Sequence, residues 1–318
     1  MRLTPYIIGL IVIGLIAALL SPGTLVEIEY ALHYGIPSMY NIEWNGTSML
    51  ASILTSNGFK VVEAYTVVDP IILAEVHNPE RIIYVYIAPQ YPLTSRDVNI
   101  VETLMNKYAL SLLVCDEANT SNILLSKYGL WVSGRIIYTS YGSPYPLAYF
   151  KIGNYSGLFV LNYASSIGYA GHVQVIGETL DGDIVGVMLR KGDDIVAVIS
   201  DSSIFINLML SKSTSYMNYS KLVEELFKYL TGGSSPRKTL VIIDLTHYSG
   251  PSPRKIAEIT GKGYAILHPL VIVQLLSTYT LYVEEVMVRE LVENYPIILT
   301  YIFITLLSLL VIYNILRP

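Results

Sequence analysis

The sequence predicts an α/β domain on a mostly parallel sheet with an added hairpin. Three observations carry this. Strand-like and helix-like stretches alternate from Thr24 to about Tyr128, the pattern of βαβ units. RIIYVYIAP (81–89) and LSLLVCDEAN (110–119) are unbroken apolar runs, as expected of strands covered by helices on both faces. Finally, VQVIGETLDGDIVGVMLRKGDDIVAVISDSSIF (173–205) is punctuated by Asp181-Gly182-Asp183 and by Lys191-Gly192-Asp193-Asp194, both hairpin turns by composition.

In chain order, TLVEIEYAL (24–32) reads as a first strand, followed by a loop holding His33, Tyr40 and Trp44. Thr47 or Ser48 caps a helix whose Met49, Leu50, Ile53 and Leu54 follow helical spacing and which stops at Asn57-Gly58. A strand VVEAYTVV follows. Pro92 to Tyr108 is a second helix with Thr94 or Ser95 as its cap, and TSNILLSKYGL a short one ending at Gly129. The stretch 131–161 is rich in Tyr, Gly and Pro without a clear period and is expected to cover an edge or face. Helices near 204–210 and 219–230 lead to a Gly-Gly-Ser-Ser-Pro break at 232–236, then to the strand VIID (241–244). The prolines of SGPSPRK (249–255) argue against an immediate helix.

Charge is scarce: 14% of the 318 residues are charged, the net charge is -5, and the mean hydropathy is +0.50. The excess hydrophobicity sits at the ends. No charge occurs between Arg2 and Glu27 or between Glu293 and Arg317, each long enough for the roughly 20 apolar residues of a membrane span. The first could be a secretory signal, but no A-x-A site precedes Ser21, so an uncleaved anchor is expected. The expected division is therefore an anchor at 1–22, an α/β ectodomain at 23–250, a helical juxtamembrane segment at 251–294 and a membrane helix at 295–316. Within the juxtamembrane segment, the apolar stretch 269–283 is expected to pack on the domain or lie at the membrane surface. Arg2 and Arg317 outside the spans, with Glu27, Glu29, Glu284, Glu285, Glu290 and Glu293 inside them, place both termini in the cytoplasm and residues 22–294 outside. Sequons at Asn45, Asn119, Asn154 and Asn218 fit that orientation. One cysteine excludes an internal disulfide framework. The 27 tyrosines against six phenylalanines suit an archaeal cell surface. An acidic chain without a basic stripe argues against nucleic acid.

The order NGTSMLASILTSNGF, YIAPQYPLTSRDVNIVETL, SLLVCDEANTSNILL and VAVISDSSIFINLML, with IDLTHYSG later, resembles an uncharacterised prokaryotic family of membrane-anchored proteins with a class I glutamine-amidotransferase-like (flavodoxin-like) domain. The resemblance covers about residues 25–250 and rests on hydrophobic pattern and a few loop residues. Its fold group includes gliding-motility and intraflagellar-transport proteins and the luminal domain of the 48-kilodalton-type oligosaccharyltransferase subunit, which act as binding or scaffold modules. Members of the prokaryotic family are encoded near MoxR-type ATPases. The resemblance thus implies partners among other membrane proteins in such an assembly, beside the lipid bilayer, with a glycan as a further possible ligand.

An amidotransferase would need a nucleophile on a tight strand-to-helix turn with a histidine–acid pair beside it. Cys115 ends a strand, but Asp116 and Glu117 follow it and raise rather than lower a thiol pKa. Asp201, Ser202 and Ser203 read as a helix cap, and no G-x-S-x-G surrounds them. His247, three residues after Asp244, ends a parallel strand, where α/β folds place binding sites. The candidate ligand or partner contacts are therefore Asn45, Gly46 and Thr47 at a helix N-terminus, with Asp201, Ser203, Asp244 and His247. The five histidines lack metal-ligand spacing, Asp181, Asp183, Asp193 and Asp194 lack a calcium loop, and no cofactor motif is present. The expectation is a non-catalytic, membrane-anchored binding or scaffold protein. The rivals are a hydrolase or amidotransferase using Cys115 or Ser203 with His247, and an oligosaccharyltransferase accessory subunit.

Overall fold

The computed structural model describes residues 14, 17–18, 21–65, 69–212 and 217–272. From Ser21 on, the described residues begin with helix α1 (Pro22–His33) and α2 (Ser48–Ser56), then alternate β1 (Lys60–Ala64), α3 (Pro70–His77), β2 (Arg81–Ile87), α4 (Ser95–Lys107), β3 (Ala109–Cys115) and α5 (Asn122–Leu125). Six strands follow without an intervening α-helix: β4 (Leu130–Ile136), β5 (Leu147–Ile152), β6 (Tyr155–Val160), β7 (Ser165–Tyr169), β8 (Gln174–Thr179) and β9 (Ile184–Lys191). Then come β10 (Asp194–Ile199), α6 (Asn207–Ser211), α7 (Tyr219–Leu230), β11 (Thr239–Asp244) and α8 (Pro253–Thr260).

The main sheet is mixed, with nine strands in the order β1-β11-β2-β3-β10-β9-β8-β5-β6. The first five are parallel, and β9, β8, β5 and β6 extend them antiparallel. Both predicted hairpins are present, β8–β9 and β9–β10. β2 and β11 are buried at every position, which is why their sequences read as continuous apolar runs. One face of the sheet packs on α2, α6 and α7, the last burying Leu222, Val223, Leu226, Phe227 and Leu230. The other packs on α3, α4, α5 and the separate β4–β7 pair. The unpatterned stretch 131–161 supplies β5 and β6, which form the far edge of the main sheet, and most of β4, which pairs with β7 apart from it.

Several expectations are corrected. TLVEIEYAL is helix, not strand. Ser21 Oγ accepts from the Thr24 amide (3.4 Å), proline sits at the first turn, and Ile28 and Ala31, at helical spacing, meet Ile256, Ala265 and Val271 in a small side core. A short apolar run does not by itself tell helix from strand. Helix α3 is an addition to the expected elements: Asp69 caps it through the Ile71 amide (2.7 Å) and Pro70 starts it. Helix α8 begins at Pro253 behind the Ser252 cap, because proline is suited to the first helical position.

The flanking membrane helices are also corrected. Among the described residues no helix is long and apolar enough to cross a membrane. This overturns the two-span cell-membrane placement, with its cytoplasmic termini and extracytoplasmic 22–294, and with it the flanking helices of the predicted fold class. Most of 1–22, all of 295–316 and most of 269–283 lie outside the described residues. The α1 helix that follows the first apolar stretch is 12 residues long, about 18 Å, carries Glu27 and Glu29, and packs on protein.

Candidate functional site

The C-terminal ends of the five parallel strands, where α/β sheets place their ligands, carry two polar clusters. The first lies over β2 and β11. Asp244 ends β11, and its Oδ1 accepts from the Thr246 amide (2.9 Å) and hydroxyl (2.7 Å) while Oδ2 accepts from the Tyr84 hydroxyl. His247 does not face Asp244 but Asp97, with Nε2 2.7 Å from Asp97 Oδ1. Asp97 also closes the α4 capping box, accepting from the Thr94 amide (2.7 Å) and hydroxyl (2.8 Å). The His247 carbonyl accepts from the amides of Gln90 and Tyr91. The His247 ring thus staples the loop after β11 to the first turn of α4, and its backbone staples it to the segment before that helix.

Burial disfavours the charged His247 ring, yet the Asp97 bond and the Asp244 and Asp97 charges outweigh it and raise its pKa. Burial would raise Asp97, yet its bonds from His247 and Thr94 hold it below its ordinary value. Burial raises Asp244. Removing one partner of a buried ion pair strands the other. Asp97→Ala is therefore expected to destabilise the fold by about 3 kcal/mol, measured by chemical denaturation, with His247→Gln costing less because it keeps a donor. Equal losses for the two would argue against the pair.

The second cluster lies over β3 and β10. Cys115 is fully buried, and burial followed by the charges of Glu117, Asp201 and Asp116 pushes its thiol pKa well up. The Ser203 hydroxyl donates to Asp201 Oδ1 (2.5 Å), as does its amide (2.9 Å), and Asp201 Oδ2 accepts from the Asn162 amide (2.7 Å). Glu117 accepts from the Ser202 hydroxyl (3.0 Å) and amide (3.1 Å). The two carboxyls therefore cap the 3-10 turn at Ser202–Phe205, as the sequence predicts for Asp201. Burial and then the Asp201 charge push Glu117 up to about 7, and burial pushes Asp201 up to about 6. No hydrogen bond joins His247 to Cys115, Ser202 or Ser203, so the structure does not assemble the triad an enzyme of this kind would use. Among the described residues no group of three or more His, Cys, Asp or Glu side chains could hold a metal.

One residue without a signal in the sequence is Ala88. It follows β2 with φ +48°, a left-handed conformation rare for a residue with a Cβ, and its amide donates to the Cys115 carbonyl (2.7 Å). A nucleophile elbow passes from strand directly into helix, whereas residues 88–94 separate β2 from α4, so Ala88 marks the start of a loop rather than such an elbow.

The third predicted contact, Asn45-Gly46-Thr47, is filled from within the protein. Helix α2 has no side-chain cap from Thr47. Instead Asn207, from α6, accepts from the Met49 amide (2.8 Å) and donates to the carbonyls of Asn41 (3.0 Å) and Glu43 (2.7 Å) and to Ser48 Oγ (3.0 Å). Thr47 Oγ1 bonds the Pro37 carbonyl. A Cβ on Gly46 would lie 1.8 Å from the Asn41 oxygen, so this glycine is required by packing. A related buried chain links α1 to β1: His33 Nε2 lies 2.8 Å from the Tyr65 hydroxyl, which bonds Glu63, whose carboxyl also meets the Met39 amide and the Ser38 hydroxyl.

Asn119, Asn154 and Asn218 are exposed, whereas Asn45 is half-buried with its Oδ1 accepting from Asn41 (3.2 Å). Asn218 caps α7 through the Lys221 amide (2.8 Å). A cleft of about 880 Å³ opens beside β6 and α6, lined by Tyr145, Val160, Leu161, Leu208, Met209 and Tyr219, with Lys212 and Asn162 among its polar contacts.

No family model matches the chain, and no curated protein matches it. Among solved structures it is similar to the mmIFT52 N-terminal domain, at 17% identity over 59% of this chain and 91% of that one, with a TM-score of 0.46. It is also similar to the exo-beta-1,4-mannosidase Op5Man5 from Opitutaceae bacterium strain TAV5, at 15% identity and a TM-score of 0.33. That match covers 48% of this chain and 25% of the mannosidase. Both likenesses are distant in sequence and in shape.

Proposed function

We propose that this chain is a non-catalytic binding or scaffold protein built on an amidotransferase-like α/β domain. The observation that carries the reading is that His247 makes no hydrogen bond to Cys115, Ser202 or Ser203, its ring being bonded to Asp97 instead. Three side chains support it by being committed elsewhere. Cys115 is sealed in the core with a raised pKa, the Ser203 hydroxyl is given to Asp201, and His247 meets Asp97 through Nε2 while its buried Nδ1 reaches none of the candidate nucleophiles. A thiol that is neither ionised nor accessible is a poor nucleophile.

The test is reactivity together with partner retention. Iodoacetamide and a fluorophosphonate probe are expected to leave the native protein unlabelled, while unfolded protein takes iodoacetamide at Cys115. A tagged full chain, purified from its own cells, is expected to hold a stoichiometric protein partner, retained equally by Cys115→Ala and Ser203→Ala. Fluorophosphonate on native Ser203, or a turnover lost in Cys115→Ala, would replace this reading with the enzyme.

A further inference from the structure

The strand at the end of the main sheet is open. Among the described residues β6 is the last of nine strands and pairs with β5 alone. Along an antiparallel strand, successive residues turn their N–H and C=O alternately toward and away from the neighbour. The amide and carbonyl of Val160 point away from β5, since both meet the Tyr219 hydroxyl (3.2 and 2.9 Å). By that alternation Leu158 and Ser156 direct theirs outward too. The strand YSGLFV carries no charge, proline or bulge to discourage pairing, the usual protections of an edge. Leu158 is also 42% exposed beside its cross-strand neighbour Tyr149, 46% exposed.

The edge runs directly into the cleft. Val160 ends the strand and lines the cleft together with Leu161, Tyr219, Leu208 and Met209. Because the Tyr219 hydroxyl caps the outward amide and carbonyl of Val160, an added strand would pair with Ser156 and Leu158 and pass over Tyr219 into the cleft. Two exposed cations bracket this surface. Lys151 sits opposite Ser156 on β5, and Lys212 lies at the cleft. Neither has an ion-pair partner among the described residues, whereas Lys221 and Lys228 are paired with Glu224 and Glu225.

An uncharged open edge, an apolar cleft in line with it and a lysine at each end are the parts needed for strand addition, in which main-chain bonds supply affinity and pockets for alternate side chains supply specificity. We propose that β6 accepts, as an added strand, an extended segment of a partner protein that is apolar in its centre and acidic at its ends, with its apolar side chains in the cleft. Charge favours such a segment over a second copy of this chain. A second copy would bring its own Lys151 and Lys212 to the same edge, between molecules that each carry -5. The proposal rests on the reading of the chain as a binding module.

The test uses the full chain and a fluorescein-labelled peptide of alternating valine and threonine with aspartates at both ends. Controls replace the central residue by proline or the aspartates by lysines. Saturable anisotropy is expected for the acidic peptide alone, with protection of the Ser156 and Leu158 amides from hydrogen exchange. Leu158→Pro removes an outward N–H that β5 does not use, and is expected to weaken binding about tenfold or more. Lys212→Glu, which leaves the strand intact, should weaken it about fivefold, more at low salt. Equal binding by the proline peptide and by Leu158→Pro would overturn the edge site while leaving the binding-module reading in place. Failure of the acidic peptide to bind at about 1 mM would also overturn it. So would a dimer that Leu158→Pro converts to monomer, which would make a second copy the occupant.

Discussion

Asn207→Ala is expected to lower the unfolding free energy by about 3–5 kcal/mol, more than any other single polar substitution among the residues at these strand ends. The side chain is 6% exposed and its amide serves four groups: the Met49 N–H, the Asn41 and Glu43 carbonyls, and Ser48 Oγ. Its own backbone amide and that of Leu208 bond the carbonyls of Gly46 and Trp44, so the loop before α2 is pinned to α6 from several directions. Alanine would strand a helix N-terminal donor and two carbonyls, and an unmet buried partner costs about 1–3 kcal/mol each. Asn207→Asp keeps the acceptor for Met49 but turns a carboxylate toward two carbonyls, and should be as damaging. Chemical denaturation measures both, and limited proteolysis should find new cleavage between Pro37 and Gly46. A loss below about 1 kcal/mol for alanine would show that the loop holds itself.

The second large effect is on pH. Burial first, and then the Asp201 charge, raises Glu117 from 4.5 to about 7, and burial raises Asp201 from 3.8 to about 6. Against the opposing effect of its burial, His247 is raised above 6.5 by Asp97 and Asp244. A group with a raised folded pKa contributes stability that is complete below its unfolded value and lost as pH rises through the folded one. All three, and Asp244, which burial also raises, therefore destabilise the protein as pH climbs from about 4 to 8. Asp97, held below 3.8 in the fold, acts oppositely, and its contribution is lost as pH falls below that value. Stability should peak near about pH 4 and decline by about 3 kcal/mol by about pH 8. A tenfold change in proton affinity on folding is worth about 1.4 kcal/mol, and the partial exposure of Glu117 reduces its share. Denaturation curves at several pH values measure this. Glu117→Gln should leave stability at pH 5 nearly unchanged and raise it at pH 8. A wild-type protein more stable at pH 8 than at pH 5 would show that these carboxyls are better solvated than their burial implies.

Local chemistry already contained much of this architecture. The buried runs of β2, β3 and β11 announce a parallel sheet because a strand covered on both faces has no polar alternation. Thr94 with Asp97 three residues on marks the start of α4, and the two Asp-Gly-type turns mark β8, β9 and β10. These signals lie within a few residues of one another and need no partner elsewhere in the chain. Tertiary packing decided the rest. Whether TLVEIEYAL was helix or strand depended on Ile256 and Ala265, which lie far along the chain. Asp97 rather than Asp244 meets His247, because α4 delivers it across the end of the sheet. Asn207, not Thr47, caps α2. The strain at Ala88 and the open edge at β6 are likewise consequences of which strands lie side by side, and pairing between distant segments leaves no local pattern for a sequence to display.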